Sequence, residues 1–428
     1  MGICIANTLA ILPGKDGHEF GRHDLYLEDT DIVGIDAAPE GFVAAEKIDG
    51  TRYLTMPGLI NAHTHTYMSM MRNYADDLSF MDWLFGRVIS VEDNLVPEDS
   101  YWASMLGQVE MIRTGTTCFN DMQMHIHQTT RAVCESGMRA VICRGLQGDE
   151  YDRADMRLAQ AFEEMDAFRD CDRLTFRLGP HAPYTCAPNY LRLVADVAKE
   201  HGLGVHIHIA ESQTESDDMW RDHHCTPVEY VRDAGIFEVP TIAAHCIRVN
   251  EHDREILAEN NVSVVTNPAS NMKLGNGFAP VPELVAAGVN VCLGTDGAAS
   301  NNAQNMIREL GLLALIHKGT HDTPQCISAD EAFDMATVNA AKALCLPTGS
   351  IEVGKKADLV LMDTHAPSLT PLGNPCAALA YSASGAEVDT VIIDGKVVMR
   401  HHDLLTIDEE RVHYEIARIC TRLGLGLC

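Results

Sequence analysis

The feature that most constrains this chain is a series of eight short apolar segments, each ending in polar residues and separated from the next by longer helix-like stretches. They are LTMPGLINAHTHT (54–66), GTTCFND (115–121), RAVICRGL (139–146), LTFRLGPHAP (174–183), GLGVHIHIAES (202–212), PTIAAHC (240–246), VSVVTNP (262–268) and NVCLGTD (290–296). Such alternation is the pattern of parallel strands joined by crossover helices. Helical periodicity fills the gaps, as in NYLRLVADVAKEHG (189–202) and EHDREILAEN (251–260). Eight such units either close into a barrel or spread into a doubly wound sheet. The polar residues decide: nearly every segment finishes in His, Asp, Asn, Arg or Glu, and the carboxyl rim of a barrel is where such enzymes place their chemistry.

The ends of the chain read differently. Short β-like runs, DLYLEDTDIVGI, KKADLVLMD and VDTVIIDGKVVMR, are spaced by turn residues, and IDEERVHYEIARICTRLG reads as a closing amphipathic helix. The expectation is an α/β fold: a (β/α)8 TIM-type barrel over 56–356, with a small β-sandwich domain formed from both chain ends, 1–55 and 357–428. At 428 residues, with 46% hydrophobic and 22% charged side chains, the chain has ample material for such a core.

Composition narrows the partners. A formal net charge of -29 repels phosphate backbones and anionic lipid surfaces, so neither polymeric nucleic acid nor membrane is an expected partner. No stretch approaches the ~20 apolar residues of a membrane helix, and Ala6 stands where a myristoylation signal needs Ser or Thr. Fourteen cysteines run from Cys4 to Cys428 without a C-x-x-C pair, and MGICIANTLA lacks the features of a secretory signal. Reduced thiols and a cytoplasmic location are expected.

The chemistry gathers at the segment ends. His63 and His65 in NAHTHT are two apart, a spacing that puts both imidazoles on one face of a strand. In VHIHIAES the same alternation pairs His206 with His208, and Glu211 falls where the strand becomes a loop. One of these histidines could complete a three-histidine set, with Glu211 as its proton carrier. Asp296 ends the last segment, and His245 ends the sixth. Each alone has a plainer reading, as a polar strand end or an Asp-Gly turn. Together they converge on one rim only in a barrel. Three imidazoles and one carboxylate suit Zn²⁺, although iron or manganese takes the same donors. Such a metal lowers the pKa of bound water to about 7, and His245 and Glu211 are the available proton carriers.

PGLINAHTHT, HIHIAES, IAAHC, TNPASNMKLGNG and LGTDGAASNN resemble the successive signatures of the amidohydrolase superfamily. Over essentially the whole chain the similarity is to 5-methylthioadenosine/S-adenosylhomocysteine deaminases, in the branch that also holds triazine chlorohydrolases and cytosine deaminase. The resemblance implies one zinc per subunit on His63, His65, His208 and Asp296, with His206 supporting the site. No Lys ends the fourth segment, where relatives with two metals carry a bridging carbamate; His181 stands there instead. It further implies hydrolytic deamination of a small nucleoside. Activated water attacks C6 of adenine, Glu211 protonates N1, and Asp296 and His245 pass the water proton to departing ammonia. Trp83, Glu92, His181 and Ser300 match substrate contacts, the first two as aromatic wall and ribose acceptor. Arg144 matches an arginine used against the carboxylate of S-adenosylhomocysteine. A second arginine, Arg153 or Arg157, lies in LQGDEYDRADMRL, where the spacing departs from the family pattern.

Three other readings stand beside this one: a guanine- or pterin-type deaminase on the same metal site, a triazine-type chlorohydrolase, and a non-catalytic barrel module. Barrels of this kind often form dimers or tetramers, and a homo-oligomer is expected by analogy.

Overall fold

The computed structural model describes residues 2–15 and 17–426. Eight parallel strands run in chain order around a barrel: Leu59–Thr64, Thr116–Gln123, Arg139–Leu146, Leu174–Pro180, Gly204–Ile209, Thr241–His245, Ser263–Thr266 and Asn290–Leu293. Between the last strand and the first, side-chain and main-chain hydrogen bonds complete the closure. Asn61 donates to Thr295 Oγ1 at 2.7 Å and accepts from the Thr295 backbone N–H at 3.0 Å, while the Asp296 N–H donates to the His63 carbonyl at 2.9 Å.

Alternation along the strands separates two apolar layers. Val205, Ile207 and Ile209 pack outward against the helices, and Ile60, Cys118, Val141, Ile242, Val265 and Cys292 form an inner layer with Ala340 and Leu344 of the helix Val338–Leu344. The helices are bounded by local signals. Pro188–His201 opens on proline at its first position and stops at Gly202 with φ 65°, and Glu251–Glu259 opens on a capping box between Asn250 and Asp253.

Both ends of the chain build one nine-stranded mixed sheet, the small β-sandwich domain beside the barrel. Its join is the strand Tyr53–Pro57, which pairs antiparallel with Leu359–Asp363. The segment that reads as one strand in the sequence, 54–66, is therefore two. Tyr53–Pro57 serves the outer sheet and Leu59–Thr64 the barrel, with Gly58 at the corner, where an added Cβ would lie 2.0 Å from Thr117 Oγ1.

A buried ion network ties the two bodies. Arg139, on the third barrel strand, donates to Asp358 Oδ2 at 2.7 Å and to Asp394 Oδ1 at 2.9 Å. The closing helix, Glu409–Leu423, packs on Pro97–Arg113, with ion pairs Arg113 to Glu409 and Arg422 to Asp99. Among the described residues no helix is long and apolar enough to cross a membrane. Cys118, Cys143, Cys246 and Cys292 are buried free thiols; Cys428 lies outside the described residues.

Candidate active site and metal centre

His63, His65, His208 and Asp296 meet at the carboxyl rim. Asp296 Oδ1 lies 3.4 Å from the Nε2 atoms of both His63 and His65, and His208 Nε2 lies 3.3 Å from His65 Nε2. The other ring nitrogens are occupied. His65 Nδ1 is 2.7 Å from the Met122 carbonyl, His208 Nδ1 is 2.7 Å from the His181 carbonyl, and His63 Nδ1 is 2.9 Å from His206 Nε2. Nδ1–H groups donated outward leave three Nε2 lone pairs facing one another. His63 Nε2 is buried without a hydrogen-bond partner. Converging lone pairs, a carboxylate and an orphaned buried nitrogen are what a divalent cation satisfies, so the donor set fits one. His206 lies beneath, its Nδ1 held by Asn120 at 3.2 Å, and touches His63 rather than the carboxylate.

Local backbone aims these groups. Ile60 and Ala62 face the inner layer, and pairing with the second strand slips between Asn61 and Thr64, which lets His63 reach the interior as well. Ala210, His245, Cys246 and Asp296 adopt φ of 52°, 73°, 48° and 64°, values uncommon for residues with a Cβ. Two of these strained positions carry His245 and Asp296, and a third precedes Glu211.

Electrostatics separate the acids. Burial, helped by the Asp296 charge, pushes the Glu211 carboxyl up to about 8. Against the burial penalty, the neighbouring imidazoles, His63 foremost, hold Asp296 well below the usual carboxylate range. Asp296 Oδ2 also accepts from Ser270 Oγ at 2.6 Å and Ser300 Oγ at 3.1 Å. Burial holds His63 and His181 neutral, both lowered to about 4. His245 Nδ1 is 2.9 Å from Asn271 Oδ1, and its Nε2 faces Glu211 Oε2 at 3.7 Å. Glu215 accepts from the backbone N–H groups of Ala210 and Glu211 at 2.9 and 2.8 Å. Sequence reading missed Glu215 and Asn271. Their signals were present, an acid four residues beyond Glu211 and an amide inside NPASNMK, but neither ends a strand.

A cavity of about 490 Å³ opens above this cluster, a size typical of small-molecule sites. His65, His208, Glu211, His245, Asp296 and His181 lie on its surface. One wall comes from the segment 80–92, whose three short turns include a π-turn, Leu84–Val88, and which contributes Phe80, Trp83, Phe85 and Glu92. The Trp83 N–H donates to the Ala299 carbonyl at 3.1 Å, so the ring rather than its N–H is available to a ligand. Glu92 Oε1 accepts from the Tyr67 hydroxyl at 2.5 Å.

Three sequence expectations need adjustment. Ser300, expected to touch substrate, is fully buried and hydrogen-bonded to Asp296, off the cavity surface. Arg144 lines the cavity, but its guanidinium is engaged by Glu164 at 2.9 Å, Gln160 at 2.7 Å and the Met124 carbonyl at 2.6 Å. Of the two open arginines, Arg153 pairs with Glu200 on the surface, whereas Arg157 lines the cavity, its guanidinium facing the neutral Gln147 amide.

Barrel and site together define a hydrolase of the kind that works on small molecules at a barrel rim. The chain belongs to the amidohydrolase family, whose model matches residues 54–398. It is 42% identical over 423 residues, 98% of each chain, to the 5-methylthioadenosine/S-adenosylhomocysteine deaminase of Thermoanaerobacter pseudethanolicus. It is 44% identical over 414 residues, 95% of each, to that of Acetivibrio thermocellus. An adenosine deaminase from Xanthomonas campestris, crystallised with bound zinc, superposes with a TM-score of 0.93 at 30% identity, covering 99% of both chains.

Proposed function

We propose that this protein is a zinc-dependent deaminase of adenosine derivatives, converting 5-methylthioadenosine, S-adenosylhomocysteine, adenosine or 5′-deoxyadenosine to the inosine-type product and ammonia. The observation that carries the reading is the pairing of acids with opposite tendencies at the cavity floor. Glu211 holds its proton at neutral pH while Asp296 stays ionised, which is what a proton donor and a proton acceptor flanking one reacting carbon require.

Bound by His63, His65, His208 and Asp296, zinc supplies a water acidic enough to attack at neutral pH. Glu211 gives its proton to N1 as oxygen bonds to C6, so the ring charge is neutralised where it develops. Asp296 takes one proton from the water, and His245, held by Asn271, orients the attacking oxygen through Nε2. The tetrahedral C6 adduct then collapses. The amino group receives the Asp296 proton and leaves as ammonia, the C6 hydroxyl returns a proton to Glu211, and the product keeps N1–H and C6=O. His206 fixes His63 from beneath and acts by positioning.

Glu92 and Trp83 support a nucleoside over a bare base, since an acid fixed by Tyr67 on the far wall suits a ribose diol. Arg157 is the cation placed for a carboxylate-bearing tail. The test is the ultraviolet change from adenine to hypoxanthine with zinc-loaded protein and the four nucleosides in parallel. No change with any of them, despite bound zinc, overturns the proposal and directs attention to guanine, pterin and chlorotriazine substrates.

A further inference from the structure

A second cluster of metal-type donors lies away from the cavity. His18 of the outer-sheet strand Gly17–Glu28, Asp330 of the helix Ala329–Met335 and Cys376 of the helix Pro375–Tyr381 bring one ligand atom each to within 4.8 Å of one another. The three positions come from separate parts of the chain, and none lines the active-site cavity.

Several details distinguish this cluster from an ordinary polar contact. Cys376 is fully buried, its sulfur within 4.8 Å of an Asp330 carboxylate oxygen. His18 is nine-tenths buried, and its ring is fixed edge-on against Phe333 with centroids 5.3 Å apart. His18 Nε2 lies 3.1 Å from Asp334 Oδ1, yet that nitrogen is buried and makes no hydrogen bond, because the contact is poorly aligned for one. Asp334 sits one helical turn beyond Asp330, with its carboxylate beside the His18 imidazole. Imidazole, thiol and carboxylate supply three donors of the kinds that hold zinc.

We infer that His18, Asp330 and Cys376 form a second divalent-cation site of the zinc type, clamping the outer sheet to the helices that follow the last barrel strand. On binding, the Cys376 thiol releases its proton and becomes a thiolate ligand. Unlike the rim cluster, this site contains sulfur, and that difference makes it separately visible.

The experiment loads the metal-stripped full-length chain with cobalt(II). The rim donors are nitrogen and oxygen, so a thiolate-to-cobalt charge-transfer band in the near ultraviolet reports the second site alone. The expected result is two equivalents of cobalt per chain and such a band. Cys376→Ser should lose the band and one equivalent while its far-ultraviolet circular dichroism is unchanged. His63→Ala should keep the band and lose the other equivalent. Should Cys376→Ser fold poorly, His18→Ala leaves the thiol in place and should raise the cobalt concentration needed for the band. A single equivalent at saturation without a sulfur band, or a band that survives Cys376→Ser, overturns the inference.

Discussion

At the scale of single residues, the site works by giving chemically similar groups different surroundings. Glu211 and Asp296 share one cavity floor, yet burial protonates the first while its histidine neighbours keep the second ionised. Because the proposed chemistry uses Glu211 in its protonated form, kcat/KM should fall as pH rises through the titration of that carboxyl. A bound cation favours the ionised form, so the alkaline limb is expected at or below pH 8. Glu211→Gln should lower kcat by about 10²- to 10⁴-fold at unchanged zinc content; a variant with wild-type turnover would remove Glu211 from the mechanism. Arg157→Gln should lower kcat/KM for S-adenosylhomocysteine by roughly 10- to 100-fold relative to methylthioadenosine, as expected for losing a hydrogen bond between charged groups. Equal losses on both substrates would show that Arg157 does not read the tail. What the sequence conveys well at this scale is which residues end strands, the origin of the His63, His65, His208 and Asp296 cluster. It conveys poorly which cations are already engaged, because the Arg144 pairing with Glu164 and Gln160 depends on how a helix docks.

At the scale of elements, the strands are legible because apolar alternation and polar ends are local properties. Helices announced by caps, such as Glu251–Glu259 after Asn250, are legible for the same reason. The division of 54–66 between two sheets is not, since both halves are equally apolar and only the turn at Gly58 separates them. Nor is the slip of register beside His63, which depends on the neighbouring strand. Barrel closure offers a sharp test. A Cβ at Gly294 would lie 2.8 Å from the His63 nitrogen and 2.9 Å from its carbonyl oxygen, both main-chain atoms with no freedom to swing aside. Gly294→Ala should therefore destabilise the protein by about 1–3 kcal/mol in urea titration and weaken zinc retention, since it displaces the strand that carries His63. Unchanged stability and zinc content would show that the closing strands tolerate separation.

At the scale of the whole molecule, the outer sheet and barrel are joined by charge as well as apolar packing. Arg139 faces Asp358 and Asp394, and the Asp358 side chain is completely buried. Arg139→Met leaves two carboxylates without their cation, and a loss of about 3–5 kcal/mol is expected in chemical denaturation. A smaller loss on replacing Arg139 and Asp358 together by apolar residues would show that the uncompensated charge, rather than lost packing, causes the effect. The join also has a consequence for biosynthesis. Arg52 finds its partner Asp363 311 positions further along the chain, and the strand beside Arg52 pairs with the strand that Asp363 ends. At about 5–20 residues per second, that partner leaves the ribosome roughly 15–60 s after Arg52. Through that interval the amino-terminal strands carry an unsatisfied edge, so nascent chains should be most prone to capture by chaperones, or by one another, just before the last outer strands emerge.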